Sequence, residues 1–137
     1  IERGVMISAG TIFTNDRFPR AATVDLRTLR SSEPDEHTLP TRIKDGATVG
    51  AGCVIGNDLA IGRFAMVGMG SLVTKSIGDF HLAYGRPARP VGCVCRCGQL
   101  ILLFKEMMEP NADTRCRDCG LPYRISDQRV EELDPPR

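Results

Sequence analysis

The 137-residue chain contains no tryptophan, two tyrosines and five phenylalanines. Its interior must therefore be filled by small aliphatic side chains rather than by large rings. Charge of one sign is lacking as well: 18 basic against 17 acidic residues leave a net charge of +1, so there is no bulk basic footprint for a nucleic acid. No apolar run approaches the length of a membrane span. No secretory leader is read in the sequence, and the expected compartment is the cytoplasm. The chain begins with Ile1 rather than Met, in phase with a repeat already running. It is read as a fragment that lacks an N-terminal part of that repeat. Histidine is scarce, with His37 and His81 alone, which leaves little room for chemistry that needs a histidine cluster.

What the chain does have is β-branched residues and glycine in fixed phase. From Ile43 to Gly78 it reads IKDGAT VGAGCV IGNDLA IGRFAM VGMGSL VTKSIG, six consecutive blocks of six. The openers are Ile43, Val49, Ile55, Ile61, Val67 and Val73. Glycine follows in four of them, at Gly50, Gly56, Gly62 and Gly68, against an average usage of about 7%. The fifth place is small or apolar throughout: Ala47, Cys53, Leu59, Ala65, Ser71, Ile77.

A period of six is neither the helical 3.6 nor the bare strand period of two. It fits a short strand and a turn, repeated. The openers point inward, the glycines serve the turns where φ is positive, and three blocks close one triangular coil of a parallel β-solenoid. The blocks resemble the hexapeptide repeat of left-handed β-helix acyltransferases, and the left hand is what that resemblance implies. The expected fold class is mainly β: a hexapeptide β-helix over 1–90, followed by a small zinc-ribbon-like module over 91–125 and a tail over 126–137.

Ile1, Ile7 and Phe13 keep the period, which then breaks. Residues 14–42 form a polar, proline-containing excursion, of a length that is usually functional or disordered. Its start, Phe13-Thr14-Asn15-Asp16-Arg17-Phe18-Pro19-Arg20-Ala21, resembles the FTND-x-x-PRA motif of the UDP-linked 3-amino-sugar N-acetyltransferases. As plain chemistry the same residues make an Asx-turn with solvated arginines. The resemblance implies acetyl transfer from acetyl-CoA to the amine of a UDP-linked amino sugar in surface polysaccharide synthesis. It also implies a homotrimer with active sites between subunits. Asn15 would orient the amino sugar, Asp16 is the alternative base, and Arg17 and Arg20 would take the sugar nucleotide.

The exit segment, residues 79–90, resembles the closing segment of such acyltransferases, with Arg86 where they usually have Asn. In the family it lies along the acyl-CoA cleft. N-acyl transfer needs a neutral amine, alignment with the thioester and donors for the oxyanion. Backbone N–H groups at glycine corners could supply the donors, with Gly68 and Gly70 as candidates for CoA-binding or oxyanion contacts. Lys75, Arg86 and Arg89 could meet the phosphates of CoA. Neither histidine sits in a recognisable catalytic motif. A zinc hydratase of the γ-carbonic-anhydrase type shares the solenoid but requires three histidines. A non-catalytic scaffold carrying a protein-binding ribbon is the alternative function. Phe64, Met66, Met69 and Leu72 occupy outward or corner positions and need cover.

Five of the six cysteines fall between Cys93 and Cys119, as CVCRCG and CRDCG. Clustered pairs without a secretory signal favour metal over disulfide. The expected structural Zn²⁺ ligands are Cys95, Cys97, Cys116 and Cys119, with glycine after each pair supplying the strained φ. By spacing alone Cys93 competes with Cys95; Cys95 is what the resemblance implies, since those acetyltransferases often append a C-x-C-G…C-x-x-C-G ribbon here. Arg96, Lys105, Arg115, Arg117 and Arg124 lie close enough in sequence to offset the charge of four thiolates. Leu100–Phe104 reads as a strand between the pairs, and 129–137 as a short helical turn or a frayed end.

Overall fold

The structure is a computed structural model that describes residues 1–136. The fold is mainly β, a left-handed parallel β-helix. Eight two-residue strands build it: β1 (Met6–Ile7), β2 (Ile12–Phe13), β3 (Arg42–Ile43), β4 (Thr48–Val49), β5 (Val54–Ile55), β6 (Ala60–Ile61), β7 (Met66–Val67) and β8 (Leu72–Val73). Each pairs in parallel with its counterpart one coil away, β1–β4–β7, β2–β5–β8 and β3–β6, which gives three faces. The second residue of every strand is a block opener. From Ile43 onward all six openers are at most 1% exposed, each burial worth about 1.5–3 kcal/mol. The excursion is surplus to the first coil: Met6 still lies opposite Thr48, as Thr48 lies opposite Met66.

The glycines of the second place do not serve positive φ, contrary to expectation. Left-handed backbone falls at the fourth place of the blocks, at Gly46, Gly52, Asp58, Phe64 and Gly70. Second-place glycines answer to a different constraint, the approach of the next coil. A Cβ on Gly50 would stand 2.5 Å from the Met69 nitrogen and 2.8 Å from the Val67 oxygen. On Gly68 it would meet the Tyr84 Cβ at 2.8 Å. Gly56 is looser, its nearest neighbour the Val73 oxygen at 3.2 Å.

At the corner between the β3–β6 face and the β1–β4–β7 face, the third-place residues alternate in charge down the coils. Arg3 pairs with Asp45 at 2.9 Å and Arg63 with Asp79 at 3.0 Å. These pairs are largely exposed and contribute little to stability.

The solenoid does not end cleanly. β9 (His81–Gly85) continues the β1–β4–β7 face in parallel, with Met66 opposite Leu82. The chain then folds back as β10 (Ala88–Val94) and β11 (Leu100–Leu103), both antiparallel. A 3₁₀ turn at Phe104–Glu106 leads to a second sheet of β12 (Asn111–Arg115), β13 (Pro122–Ser126) and β14 (Arg129–Glu132). The apolar run from Leu100 is a strand, as expected. Residues 129–132 are not a helical turn or a frayed end: they pair with β13, Val130 opposite Ile125 and Glu132 opposite Tyr123.

Phe64 is covered from within the chain. Its ring stacks on Phe80 at 5.4 Å, Phe80 meets the edge of Tyr123 at 5.6 Å, and the Arg96 guanidinium lies over Phe64 at 4.4 Å. These rings fasten the C-terminal sheet to one corner of the solenoid. Met69 remains exposed.

The two kinds of second-place glycine separate in a stability measurement. Gly50→Ala should cost about 3 kcal/mol of unfolding free energy and Gly56→Ala under about 1 kcal/mol. Equal losses in denaturant titrations would contradict the close-approach account.

Candidate functional site

The FTND segment leaves the solenoid at the corner after β2, β5 and β8. Thr14 N–H still bonds the Ile55 carbonyl at 3.0 Å, so Asn15 takes the third place of the first coil. Asn57 and Lys75 hold the same place in the two coils below, at about 4.8 Å per coil. The excursion then starts at a neck: Asp16 bridges Thr38, and the Asn15 carbonyl accepts Leu39 N–H at 2.9 Å. It returns at Thr41, whose hydroxyl donates to the Gly56 carbonyl at 2.7 Å.

Within the motif, Asp16 makes the Asx-turn that its chemistry allows, with Oδ1 accepting Phe18 N–H at 2.8 Å. Arg17 reaches across to Asp58 at 3.7 Å. Arg20 donates to the neighbouring Pro19 carbonyl at 3.3 Å, and shares a small cleft with Asn15, Asp16 and Asp35. His37 joins this group, although it is remote in sequence. Its carbonyl accepts Arg17 N–H at 3.1 Å, and its ring stands edge-on to Phe18 at 5.1 Å. Asn57 is a residue that motif reading missed. Its Nδ2 is shut off from solvent with no protein partner among the described residues. The signal was its phase alone.

Gly68, Gly70 and Arg86 gather at another corner, before the β2–β5–β8 face rather than after it. Arg86 Nη1 donates to the Gly70 carbonyl at 3.1 Å. The expectation that these glycines offer free donors is not met. Gly68 N–H is spent on Ala83 O at 2.9 Å and Gly70 N–H on Ala51 O at 2.8 Å. Both are bonds that stack one coil on the next. The Gly68 carbonyl is taken too, by the Ser71 hydroxyl at 2.6 Å. Lys75 therefore stands with FTND while Arg86 stands a face away. The two corners flank one face, whose outward column is Ile12, Val54 and Leu72.

His81 is structural. The Gln128 carbonyl can only accept, so the Nε2 at 2.7 Å carries the proton. Nδ1 is buried without a hydrogen-bond partner among the described residues, and the ring packs edge-on to Phe104 at 5.4 Å.

The four expected cysteines converge. The sulfurs of Cys95, Cys97, Cys116 and Cys119 all lie within 4.8 Å of one another, with Cys95–Cys119 at 3.3 Å and Cys97–Cys116 at 3.6 Å. These are free thiols, far beyond disulfide length. Tetrahedral zinc–sulfur bonds of 2.3 Å put sulfurs about 3.8 Å apart, so the set fits such a metal. Cys95 and Cys97 lie in the turn between β10 and β11, Cys116 and Cys119 in that between β12 and β13. Gly98 and Gly120 take φ of 89° and 78°. Backbone N–H groups reach the sulfurs, Gln99 on Cys97 and Cys119 and Asp118 on Cys116. Burial pushes the Cys95 thiol up, with Tyr123 opposing. Cys116 is lowered against its own burial by those N–H groups and by the thiols of Cys95 and Cys97. Cys93 stands outside the cluster, fully buried, its thiol pushed up to about 11 by burial. Two of the five basic residues are otherwise engaged: Arg124 pairs with Asp113 at 2.8 Å, and Arg96 with Glu132. Arg115 donates to the Gly120 carbonyl at 3.2 Å, beside the second cysteine pair.

Among the described residues no helix is long and apolar enough to cross a membrane. No protein-family model matches the chain. Over 93 residues it is 41% identical to the dTDP-3-amino-3,6-dideoxy-α-D-galactopyranose 3-N-acetyltransferase of Aneurinibacillus thermoaerophilus, covering 68% of this chain and 45% of that protein. The chain thus spans about half the length of this curated relative. Among solved structures it resembles AntD, an N-acyltransferase from Bacillus cereus in complex with dTDP and 3-hydroxybutyryl-CoA. The TM-score is 0.53 at 25% identity, over 69% of this chain and 50% of that one. A maltose O-acetyltransferase from Clostridium difficile 630 matches with TM-score 0.53 at 26% identity, over 68% and 48%.

His81→Ala should lower stability by about 1–2 kcal/mol through loss of the Gln128 bond and the Phe104 contact. Unchanged denaturant unfolding would contradict the structural role.

Proposed function

We propose that the protein is an acetyl-CoA-dependent N-acetyltransferase acting on a nucleotide-linked 3-amino sugar in surface polysaccharide biosynthesis. The observation that carries it is the FTND motif at a solenoid corner that shares one face with the corner holding Arg86. The 3-amino position is supported twice, by the motif's resemblance and by the similar acetyltransferase that acts on a dTDP-3-amino sugar. The motif's resemblance favours UDP and that relative favours dTDP.

In this reading Asn15 orients the sugar, and Arg17 and Arg20 meet its diphosphate. Arg86 meets the phosphates of CoA at one corner, and Lys75 stands with Asn15 at the other. The neutral amine attacks the thioester carbon, the carbon–sulfur bond breaks, and CoA leaves as thiolate. The amine proton passes to water or to that thiolate, or to Asp16 through the carboxylate oxygen not held by Phe18 N–H. Oxyanion donors are groups other than the N–H of Gly68 and Gly70. A homotrimer would bring the two corners of neighbouring copies together. The four cysteines hold a structural Zn²⁺. Four thiolates leave no open position for catalysis, and a module this small needs such a staple.

Thiol release from acetyl-CoA, followed with a panel of UDP- and dTDP-linked 3-amino and 4-amino sugars, tests the proposal. Turnover should appear with a 3-amino sugar, and Asn15→Ala should lower kcat/KM by about 10²–10³-fold. No turnover with any member of the panel would remove the reading. Purified protein should contain one zinc per chain. Its affinity should weaken as pH falls, because the thiols must lose protons to bind. Folded protein free of zinc would defeat the metal assignment.

A further inference from the structure

Tyr123 is the largest fully buried side chain. It lies on β13, past the second cysteine pair, and no motif pointed to it. Its hydroxyl has two neighbours: the backbone N–H of Arg96 at 3.1 Å and the sulfur of Cys95 at 3.1 Å. The N–H can only donate, so it occupies a lone pair of the phenol oxygen. The phenolic proton must then point to the other neighbour, the Cys95 sulfur. A buried hydroxyl needs such a partner. The direction of this bond suits a thiolate better than a thiol, since a thiolate accepts and has no proton to offer.

Resting on the four-cysteine metal reading, we infer that Tyr123 is a positioning residue of that site, donating its phenolic proton to the metal-bound sulfur of Cys95. Four thiolates around a divalent ion carry a net charge of −2. Donated hydrogen bonds spread that charge, and partners of this kind commonly change metal affinity 10–100-fold. Cys97 and Cys116 receive backbone N–H donors. Tyr123 adds a side-chain donor to Cys95, one of the two buried ligands. The same ring meets Phe80, which stacks on Phe64 of the solenoid. Metal, Cys95, Tyr123, Phe80 and Phe64 thus form one line of contact, from the ribbon to the last coils. Arg96, between two ligands in sequence, closes it over Phe64. The site fixes the C-terminal sheet to the solenoid as well as closing two turns.

The experiment is a zinc competition titration against a chromophoric chelator, with the full chain and its Tyr123→Phe variant. The variant keeps the ring and removes the proton. Its zinc dissociation constant should rise 10–100-fold, while near-ultraviolet circular dichroism at saturating zinc stays as in the parent. In the cobalt-substituted proteins the sulfur-to-metal charge-transfer band should shift with the same change. Equal zinc affinity and an unshifted band would overturn the role of Tyr123 and leave the metal site standing. A parent protein that binds no zinc would instead sink the four-cysteine reading, and this inference with it. Should Tyr123→Phe fail to fold, the parent protein loaded with ¹¹³Cd decides. Its buried Tyr123 hydroxyl proton should show scalar coupling to the metal, and no coupling on a visible hydroxyl resonance would overturn the inference.

Discussion

Everything in this chain depends on how closely one coil of backbone can lie against the next. The parallel bonds that stack the coils leave almost no room at the second place of several blocks, at Gly50, Gly62 and Gly68. At Gly50 a single methyl group would collide with the backbone of the coil below. From this follow the strict phase, the small or apolar fifth-place residues and an interior filled by Val and Ile. The same constraint decides which polar groups remain for chemistry. A backbone N–H spent on stacking cannot also serve a substrate, and both glycines first considered as donors are spent in this way.

The fold was legible in the sequence because its periodicity is local and repeated. The convergence of four cysteines was legible from two short pairs, each followed by glycine, together with the family resemblance that chose Cys95 over Cys93. The role of the glycines was misread. Composition says that glycine is needed, but not whether for φ or for room, and only the neighbouring coil tells the two apart. β14 was missed because its partner strand, not its own charged residues, makes it a strand. The aromatic seam was invisible for a related reason. Phe64, Phe80 and Tyr123 are far apart in the chain and meet only after the solenoid has turned and the ribbon has closed. His37 reaches the FTND segment through the neck of the excursion, a contact that no local pattern announces.

The candidate site shows the same division. Asn15, Asn57 and Lys75 share a corner because they share a phase, and Asp16 follows Asn15 there. Arg86 and Gly70 share another because the exit hairpin folds back on it. Between them runs a face with an aliphatic outward column. A pantetheine arm is long, thin and largely apolar, and such a face suits it better than a polar pocket would. The proposed chemistry therefore sits at the edges of the repeat, where polar side chains escape the demands of stacking.

The central claim is that acyl-CoA binds along this face, between the two corners. Amide chemical-shift mapping with CoA added to the protein tests it most directly. The account predicts perturbations grouped at residues 68–76 and around Arg86, with the aromatic seam at Phe64, Phe80 and Tyr123 unmoved. Perturbations centred on that seam, or none at the two corners under saturating CoA, would contradict it.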